Sequence, residues 1–450
     1  MDNQDEATSG ACSRPRARLL TAVGLLYASA CGGPYGTEDF VVRTGPGLLL
    51  VLLFAAAWLW GVPLALATAE LSTVRPTEGG YYRWVREFLG EFWGFQAGVW
   101  SLISSVLDNA LYPVLFGSAL RYWFPTLSAV ESWLAAVGFI VLLTWLNVRG
   151  IRPVGAVAVA LTLFLVLPLV LLVGRALFQI RFNPFVPFTA SGGTWDGLGA
   201  GLALAIWFYA GYPEVSTAAA EIEQPQRTIP LVLLITTPLV VLSYILPTLA
   251  GLAAVGGWRE WTSGQFAIMG EVLGGKSLGG WLFLASIASF VAIFMAYLLW
   301  WSRLAWAFAA DGFLPAGLVQ LHPRHGTPHR VLILYAVIYA LLAAFPFQDL
   351  LIVDVWVFGA YDLLLVLSVL GARARIPERR SGFMIPAGLT GVWANALVVA
   401  ATWVVVLYST ARQQPRDALA GLLALLCGFL LYGLRKAIRQ RQHSPPPMRA

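Results

Sequence analysis

The sequence predicts an all-helical integral membrane protein, and three observations lead to this fold class. Of the 450 residues, 58% are hydrophobic and only 12% are charged, and the mean hydropathy is +0.73. Soluble domains carry about twice that share of charge. Apolar runs long enough to cross a bilayer recur from one end of the chain to the other. Many of the 19 tryptophans lie near the ends of these runs, as in the aromatic belts of membrane proteins.

Twelve membrane spans are predicted, which places both ends of the chain on the same side of the membrane. Of the 29 Lys and Arg residues, 21 fall on that side. Cytoplasmic segments carry such an excess of positive charge, so we expect cytoplasmic termini in a plasma or inner membrane. The net charge of +6 then reflects topology rather than a nucleic-acid partner. The predicted spans are 18–43, 46–71, 92–120, 129–147, 151–176, 194–222, 229–253, 280–309, 330–347, 350–372, 383–409 and 416–436.

Polar segments flank and connect these spans. The two ends, 1–17 and 437–450, are expected to be disordered tails because they are polar and contain Pro or Arg. The segment 72–91 alternates aromatic with charged residues. That pattern predicts a short amphipathic helix on the cytoplasmic membrane surface.

No cofactor and no metal site are expected. The loop 310–330 contains three histidines, His322, His325 and His329. Because they lack Cys or carboxylate partners, we interpret this segment as a basic cytoplasmic loop rather than a metal site. The three cysteines are too scattered for a disulfide framework.

Two predicted spans contain sequences that a continuous helix does not tolerate. Span 1 carries CGGPYG at 31–36 near its middle, and span 6 carries AGYPE at 210–214. Glycine disfavours helix, and proline removes a backbone donor and clashes with the preceding turn. A lone proline kink is common in membrane helices, but these two breaks lie five spans apart and so run in opposite directions. Such paired breaks are typical of inverted-repeat transporters, which bind their solute at the breaks.

The predicted breaks expose backbone groups that suit an amine-bearing solute. The N–H groups around Gly32, Gly33 and Gly36 open the second half of span 1, where a carboxylate can bind. The carbonyls of Tyr209 and Gly211 close the first half of span 6, where an ammonium group can bind. The side chains expected to gate the pocket or pack against the solute are Tyr35, Trp207 and Tyr212.

Five carboxylates fall in the interior of the predicted spans, whereas no Lys or Arg falls at comparable depth. They are Glu38, Asp39, Asp108, Glu214 and Asp362. An ionised carboxylate in the membrane interior costs on the order of 3 kcal/mol. Such groups take up a proton or await a cation. This favours a cationic solute that contacts Glu38, Asp108 and Glu214, or proton coupling through Asp39, Asp108, Glu214 and Asp362, or both.

Structural roles for several acids stay open beside these functional ones. Glu38 and Asp39 suit the N-terminal cap of the second half-helix, which does not exclude contact with a substrate. Asp108 suits a satisfied hydrogen bond between helices. Glu70 and Glu221 lie near the cytoplasmic ends of their spans, which predicts gate or loop contacts for them.

A set of motifs then points to a known family. They are GGPYGTEDFVVR (32–43), TAEL (68–71), EGGYYRWV (78–85), FWGFQAGVW (92–100), LDNALYPVLF (107–116), VSTAAAEIEQPQRTIP (215–230), HPRHGTP (322–328) and IPAG (385–388). These stretches resemble the amino acid–polyamine–organocation superfamily, closest to its polyamine-uptake and L-amino acid transporter branch. The resemblance covers about residues 20–390 and is most specific in the first three spans.

The resemblance implies a LeuT-like core of five plus five inverted helices, with helices 1 and 6 broken and two helices added. It implies exchange of the solute by alternating access. The segment with Gly32, Gly33 and Gly36 matches the unwound substrate-binding segment of the family, and Glu38, Asp39 and Asp108 match acidic positions of the polyamine branch. The expected divisions of the chain are a cytoplasmic tail (1–17), the ten-helix core (18–372), helices 11 and 12 with their link (373–436), and a second tail (437–450).

The sequence departs from the polyamine branch in spans 6 and 10. The branch tends to have Asn-Tyr-Trp-Asp in span 6, where this chain has AGYP at 210–213 and an acid one place later at Glu214. In span 10 the branch often has a glutamate where this chain has Leu365, and Asp362 lies about one turn earlier. These departures leave amino acids open as substrates.

The sequence therefore predicts a secondary active transporter in the lipid bilayer, for a polyamine or cationic amino acid with proton coupling. A neutral amino acid permease or exchanger is the alternative, and a channel is the alternative of another class, which needs a continuous polar pore. No HExxH motif is present, and no enzyme activity is expected. The exact substrate, the coupling ion and the oligomeric state stay open.

Overall fold

The computed structural model of the chain describes residues 17–190, 198–262, 264–376 and 382–443, and its regular structure in these ranges is helical. One isolated backbone bridge pairs Ala17 with Ile222. The α-helices are α1 (Leu19–Ala30), α2 (Thr37–Thr44), α3 (Pro46–Ala56), α4 (Val62–Val74), α5 (Gly80–Leu89), α6 (Glu91–Trp123), α7 (Ala129–Val148), α8 (Ile151–Ala176), α9 (Leu198–Trp207), α10 (Pro225–Ala254), α11 (Gln265–Ala310), α12 (His329–Leu342), α13 (Phe347–Arg375), α14 (Gly388–Gln413) and α15 (Pro415–His443).

Nine helices in the described ranges are long and apolar enough to cross a membrane. A π-helical turn, Ala57–Gly61, joins α3 and α4 into one of them. The three other predicted spans correspond to shorter pieces: α1 with α2, α9 with the 3₁₀ helix Tyr212–Glu221, and the 14-residue α12. The all-helical membrane fold with broken first and sixth spans is therefore confirmed, and the count of twelve stays a prediction.

The helices differ in how much of their surface the protein itself covers. In α13, 83% of the apolar window is buried inside the bundle, and in α11 78% is buried. In α15 only 17% is buried. Because apolar side chains left outside the bundle suit contact with lipid, α11 and α13 form its centre and α15 lies at its edge. The functional site must be sought around the central pair.

The two ends of the bundle can be told apart by their backbone contacts. At one end the Ala17 amide donates to the Glu221 carbonyl at 2.7 Å; we call this end the Ala17 face. At the other end the Leu48 amide donates to the Phe188 carbonyl at 2.7 Å, close to Gly45; we call this end the Gly45 face. Span 1 runs from the Ala17 face towards the Gly45 face.

Helix α5 corrects one prediction made for the segment 72–91. The amphipathic helix is present, but its aromatic side chains are buried in the protein rather than lying on the membrane surface. Tyr81 and Trp84 are both 0% exposed. The charged side of α5 is held by Asp311, which pairs with Arg83 at 3.3 Å and with Arg86 at 3.1 Å. The apolar periodicity of a single sequence does not show whether the apolar face of a helix packs against protein or against lipid.

The C-terminal tail also differs from its prediction. Helix α15 continues to His443, so residues 437–443 are helical rather than disordered. The remaining tail predictions, for residues 1–16 and 444–450, lie outside the described residues.

A buried ion pair fastens spans 2 and 10 at the Ala17 face. Arg373 binds both carboxylate oxygens of Glu70, at 2.8 Å each. The Ile385 amide donates to the same carboxylate at 2.7 Å, and the Ile385 carbonyl accepts from Arg373 at 3.1 Å. Glu70 is 0% exposed, so this pair ties three segments together away from water. The predicted gate or loop contact of Glu70 is a loop-anchoring one.

We expect Arg373→Ala to destabilise the folded protein by about 3–5 kcal/mol, because it leaves a buried carboxylate without its partner. The matched control is Arg75→Ala, which breaks the exposed pair of Arg75 with Glu87 on the same face and should cost less than about 1 kcal/mol. Thermal unfolding of both variants in detergent measures the difference. Equal losses of stability in the two variants would show that burial does not make the Glu70–Arg373 pair contribute more to stability than the exposed pair.

Candidate functional site

The break in span 1 is a turn of six residues between α1 and α2. Gly33 has φ +79° and Gly36 has φ +101°, values that side chains other than glycine rarely allow. The Gly36 amide donates to Glu38 Oε2 at 2.7 Å, and the Thr37 hydroxyl donates to the Pro34 carbonyl at 2.6 Å. Glu38 thus caps α2, as one of its alternatives predicted. The Gly36 amide is already engaged in this conformation and does not point to a free carboxylate site.

The break in span 6 begins where α9 ends at Trp207. The Tyr209 and Ala210 amides still reach back, to the Ile206 carbonyl at 3.0 Å and the Trp207 carbonyl at 3.2 Å. Gly211 then lies against α1: a Cβ atom placed there would be 2.8 Å from the Ser29 carbonyl oxygen and 2.8 Å from the Tyr297 hydroxyl. The two breaks are therefore in direct contact, and Gly211 is the residue that permits it.

A small hollow lies between the two breaks. The volume open to the centres of water molecules is about 20 Å³, room for about one water. It is lined by backbone and side chains of both breaks and by α6, α10 and α11: Ser29, Ala30, Gly32, Gly33, Tyr35, Tyr112, Leu115, Trp207, Phe208, Tyr244, Ser289, Phe290, Ile293 and Tyr297. The predicted residues Gly32, Gly33, Tyr35 and Trp207 are thus brought together. In this conformation the open space between the breaks is too small for an organic solute.

Tyr35 separates this hollow from a second one nearer the Gly45 face. The second hollow, of about 30 Å³, is lined by Gly36 and Glu38 as well as by Tyr35. The Tyr35 hydroxyl donates to the Leu282 carbonyl at 3.2 Å, and its ring meets Phe266 edge-on at 5.8 Å. Tyr35 therefore stands where a gate between the two hollows would be.

Tyr112 and Trp207 line one side of the central hollow, and the Asp108 carboxylate lies behind them. The Trp207 indole N–H donates to Asp108 Oδ1 at 2.6 Å. Tyr112, one turn after Asp108 on α6, stacks on Trp207 at 6.1 Å between ring centres. Asp108 is 4% exposed, so this hydrogen bond between α6 and α9 is shielded from water. An aromatic wall beside a carboxylate is a chemistry that suits an ammonium group.

Two further predicted acids lie deeper towards the Ala17 face. Glu214 is 2% exposed and Asp362 is 1% exposed. Within the described residues, Glu214 Oε2 and both carboxylate oxygens of Asp362 have no hydrogen-bond partner. The two carboxylates interact electrostatically with each other, and Glu214 also interacts with Asp108. The interior of the bundle therefore contains a series of acids that starts at the hollow.

Asp354 belongs to the same series and was missed from the sequence. It is 0% exposed and interacts electrostatically with Asp108, Asp362 and Glu214. Span 10 was predicted to begin at residue 350, which placed Asp354 near the membrane surface. Helix α13 begins three residues earlier, and Asp354 faces α6, where the Ser104 hydroxyl donates to it at 2.6 Å. The spacing of Asp354 and Asp362, about two helical turns, is the sequence signal that could have found it.

Other predicted site residues lie away from the hollow. Tyr209 and Tyr212 are both 0% exposed. They pack on the far side of the break, against Gly61. A Cβ atom placed on Gly61 would lie 3.1 Å from the Tyr209 side chain and 3.1 Å from the Tyr212 ring, so glycine leaves room for them. Asp39 lies in α2, but its side chain is outside the described part of the structure.

The Ala17 face is closed below the acids. Arg303 binds Glu221 at 3.0 Å, and the two side chains are only 3% and 8% exposed. The Glu223 amide donates to the Ala17 carbonyl at 3.0 Å, next to this ion pair. The start of span 1 and the end of span 6 are thus held together. Glu221, for which a gate or loop contact is predicted, makes this ion pair, and its gating role stays a prediction.

Two interrupted membrane segments that meet at a small central hollow are typical of inverted-repeat solute transporters. A family model described as amino acid permease matches residues 19–422. The chain belongs to this family of secondary transporters, and its predicted resemblance to the wider superfamily is confirmed.

Individual relatives agree with this assignment. The chain is 32% identical over 443 residues to a probable polyamine transporter of Arabidopsis thaliana, covering 97% of this chain and 91% of the relative. It is 32% identical to the polyamine transporter PUT1 of Oryza sativa subsp. japonica, covering 94% and 79%. A crystal structure of MhsT in complex with L-phenylalanine has a TM-score of 0.66 and 15% identity, and covers 88% of this chain and 99% of that chain. This likeness concerns the fold alone and confirms the predicted LeuT-like arrangement.

We expect Gly36→Ala to destabilise the protein by about 1–2 kcal/mol, because φ +101° is unfavourable for alanine. The substitution tests the backbone alone, since nothing lies within 4 Å of the new Cβ. Gly174→Ala in α8 is the matched control: its Cβ also meets nothing within 4 Å, and in a helix alanine is favoured over glycine by up to about 1 kcal/mol. Thermal unfolding measures the stability of the two variants. A Gly36→Ala variant as stable as the native protein would contradict the positive φ angle at the break in span 1.

Proposed function

We propose that the protein carries a small amine-bearing solute, a polyamine or a cationic amino acid, and holds it in an opened form of the hollow between the two breaks. The observation that carries this proposal is the Asp108 carboxylate, which is presented at the aromatic wall by the Trp207 indole at 2.6 Å. An ammonium group inserted there would meet a carboxylate and the faces of Trp207 and Tyr112.

The balance of buried charge supports a cationic solute. Four buried acids, Asp108, Glu214, Asp354 and Asp362, interact along the centre of the bundle. Among the described residues, the buried Arg303 and the partly exposed Arg373 are each bound to a glutamate of their own. A positively charged solute would compensate the negative charge of these four acids. The names of the plant relatives, which are polyamine transporters, support the same substrate class.

A neutral amino acid is the alternative solute, favoured by the family description and by the Gly32–Gly33 backbone at the hollow. Its carboxylate would bind peptide N–H groups of the span 1 break, and its ammonium group would bind Asp108. The two alternatives differ in whether a carboxylate on the solute is needed for binding.

We also propose that transport is coupled to protons and that the Ala17 face is cytoplasmic. Asp362 is the residue best placed to carry the proton, because neither of its oxygens has a hydrogen-bond partner in the described structure. The excess of Lys and Arg in the segments on the Ala17 side supports the orientation. Labelling of a cysteine introduced at Glu223 by a membrane-impermeant maleimide in intact cells would contradict this orientation.

A thermal-shift screen of the purified protein tests the substrate class. We expect putrescine or spermidine to raise the unfolding temperature and neutral amino acids to leave it unchanged, because a ligand at 100 times its Kd stabilises the folded state by about 2.7 kcal/mol. Asp108→Asn should weaken binding by about 10–100-fold, the worth of one charge-assisted hydrogen bond. The matched control is Asp349→Asn, at an exposed position at the start of α13. Stabilisation by neutral amino acids alone would favour the alternative.

Transport into proteoliposomes tests the coupling. We expect a proton gradient to drive solute accumulation by the native protein, and Asp362→Asn to lose this accumulation while retaining exchange of solute across the membrane. The reason is that an amide cannot take up and release the coupling proton. Gradient-driven accumulation that persists in the Asp362→Asn variant would remove Asp362 from this role.

A further inference from the structure

We propose that Asp354, held by Ser104, forms a second ammonium subsite behind Asp108, so that the transporter selects solutes with two amines a fixed distance apart. This inference rests on the proposed transport of amine-bearing solutes and narrows it to α,ω-diamines. It assigns a specificity-determining role to Asp354, which is not among the five interior acids predicted from the sequence.

The two oxygens of Asp354 have different surroundings. Oδ1 accepts the hydrogen bond from the Ser104 hydroxyl at 2.6 Å, which fixes the carboxylate on the side of α13 that faces α6. Oδ2 has no partner among the described residues, and the side chain is 0% exposed. A buried oxygen that is oriented but unpaired carries a desolvation cost that a ligand donor would remove.

Asp354 is close to the walls of the central hollow. It interacts electrostatically with Tyr112 and with Tyr297, both of which line that hollow. Phe347, at the start of the same helix, meets the ring of Trp207 at 5.8 Å between ring centres. Helix α13 therefore runs past the hollow, and Asp354 meets α6 at Ser104, about one helical turn before Asp108.

The charges around Asp354 are all of one sign. Asp108, Asp362 and Glu214 act on it, and no base is among its electrostatic partners. The two ion pairs with the least exposed glutamates, Glu70 with Arg373 and Glu221 with Arg303, lie at the Ala17 face. A carboxylate in this position is stabilised best by a cation that arrives with the solute.

The spacing of the two subsites suggests the length of the solute. Ser104, which holds Asp354, precedes Asp108 by four residues on α6. Four residues correspond to a rise of roughly 6 Å along a helix. A short diaminoalkane in an extended conformation spans a similar distance between its nitrogens. A monoamine of the same chain length would fill one subsite and leave Asp354 unpaired.

A purely structural role for Asp354 makes a different prediction. If its carboxylate only accepts the Ser104 hydrogen bond, an asparagine can do the same through its carbonyl oxygen. Asp354→Asn would then change neither binding nor selectivity. If the carboxylate binds an ammonium group, the loss of its charge weakens the binding of diamines and leaves the binding of monoamines unchanged.

The experiment is a binding titration, by calorimetry or thermal shift, of the full-length protein with two matched series. One series is diaminopropane, putrescine, cadaverine and diaminohexane; the other is the monoamines from propylamine to hexylamine. We expect the native protein to prefer one diamine over its monoamine by at least about tenfold, and Asp354→Asn to reduce that ratio about tenfold while leaving monoamine affinity within about twofold. Asp349→Asn is the control that should change neither series.

The outcomes separate this inference from the function on which it rests. An unchanged diamine-to-monoamine ratio in a folded Asp354→Asn variant overturns the second subsite and leaves the proposed amine transport standing. Failure of both series to bind the native protein, with neutral amino acids binding instead, overturns the proposed substrate class and the inference together. Ser104→Ala gives a second measurement if Asp354→Asn does not fold, because it releases the carboxylate and should broaden the preferred chain length. If the Ser104→Ala variant keeps the same narrow preference for one chain length, the proposal is contradicted.

Discussion

The structure depends on one constraint: in the membrane interior, every peptide N–H and C=O must find a partner within the protein. Helices satisfy it along most of this chain, and the breaks at 31–36 and at 208–211 do not. Side chains take over part of the task. Glu38 accepts from the Gly36 amide, the Ser289 hydroxyl donates to the Gly32 carbonyl, and the Tyr244 hydroxyl donates to the Ala30 carbonyl at 3.1 Å. Of the residues in the two breaks, Gly32, Gly33, Tyr35 and Phe208 line the hollow.

Charge is distributed along the bundle in a way that matches this arrangement. At the Ala17 face, buried acids are paired with bases, as in the pairs of Glu221 with Arg303 and Glu70 with Arg373. Around the centre, the acids Asp108 and Asp354 have hydrogen-bond donors but no ion pair among those described. The pair of Glu70 with Arg373 anchors a loop, and the pair of Glu221 with Arg303 suits a gate that is broken and reformed, whereas unpaired carboxylates suit a place that a cation enters and leaves. Carboxylates thus form ion pairs that hold the Ala17 face together, and near the centre of the bundle carboxylates suit the binding of a cation.

The sequence predicted the features that depend on local chemistry. The breaks were predictable because Gly33, Pro34 and Gly36 act on their own backbone whatever surrounds them. The hydrogen bond from Trp207 to Asp108 was not predictable, since it joins residues 99 positions apart and depends on how α6 and α9 pack. Helix α5 shows the same limit, because periodicity identifies an apolar face and not what covers it. Asp354 was missed through a small error in where a span begins.

The central claim is that the solute binds between the two breaks, and a cryo-EM map of the protein with bound putrescine tests it most directly. The account predicts density for the ligand between Gly33 and Trp207, with a nitrogen within hydrogen-bond distance of Asp108 and the hollow enlarged beyond the about 20 Å³ it has without a ligand. Ligand density elsewhere in the bundle, with the breaks still closed against each other, would contradict the account.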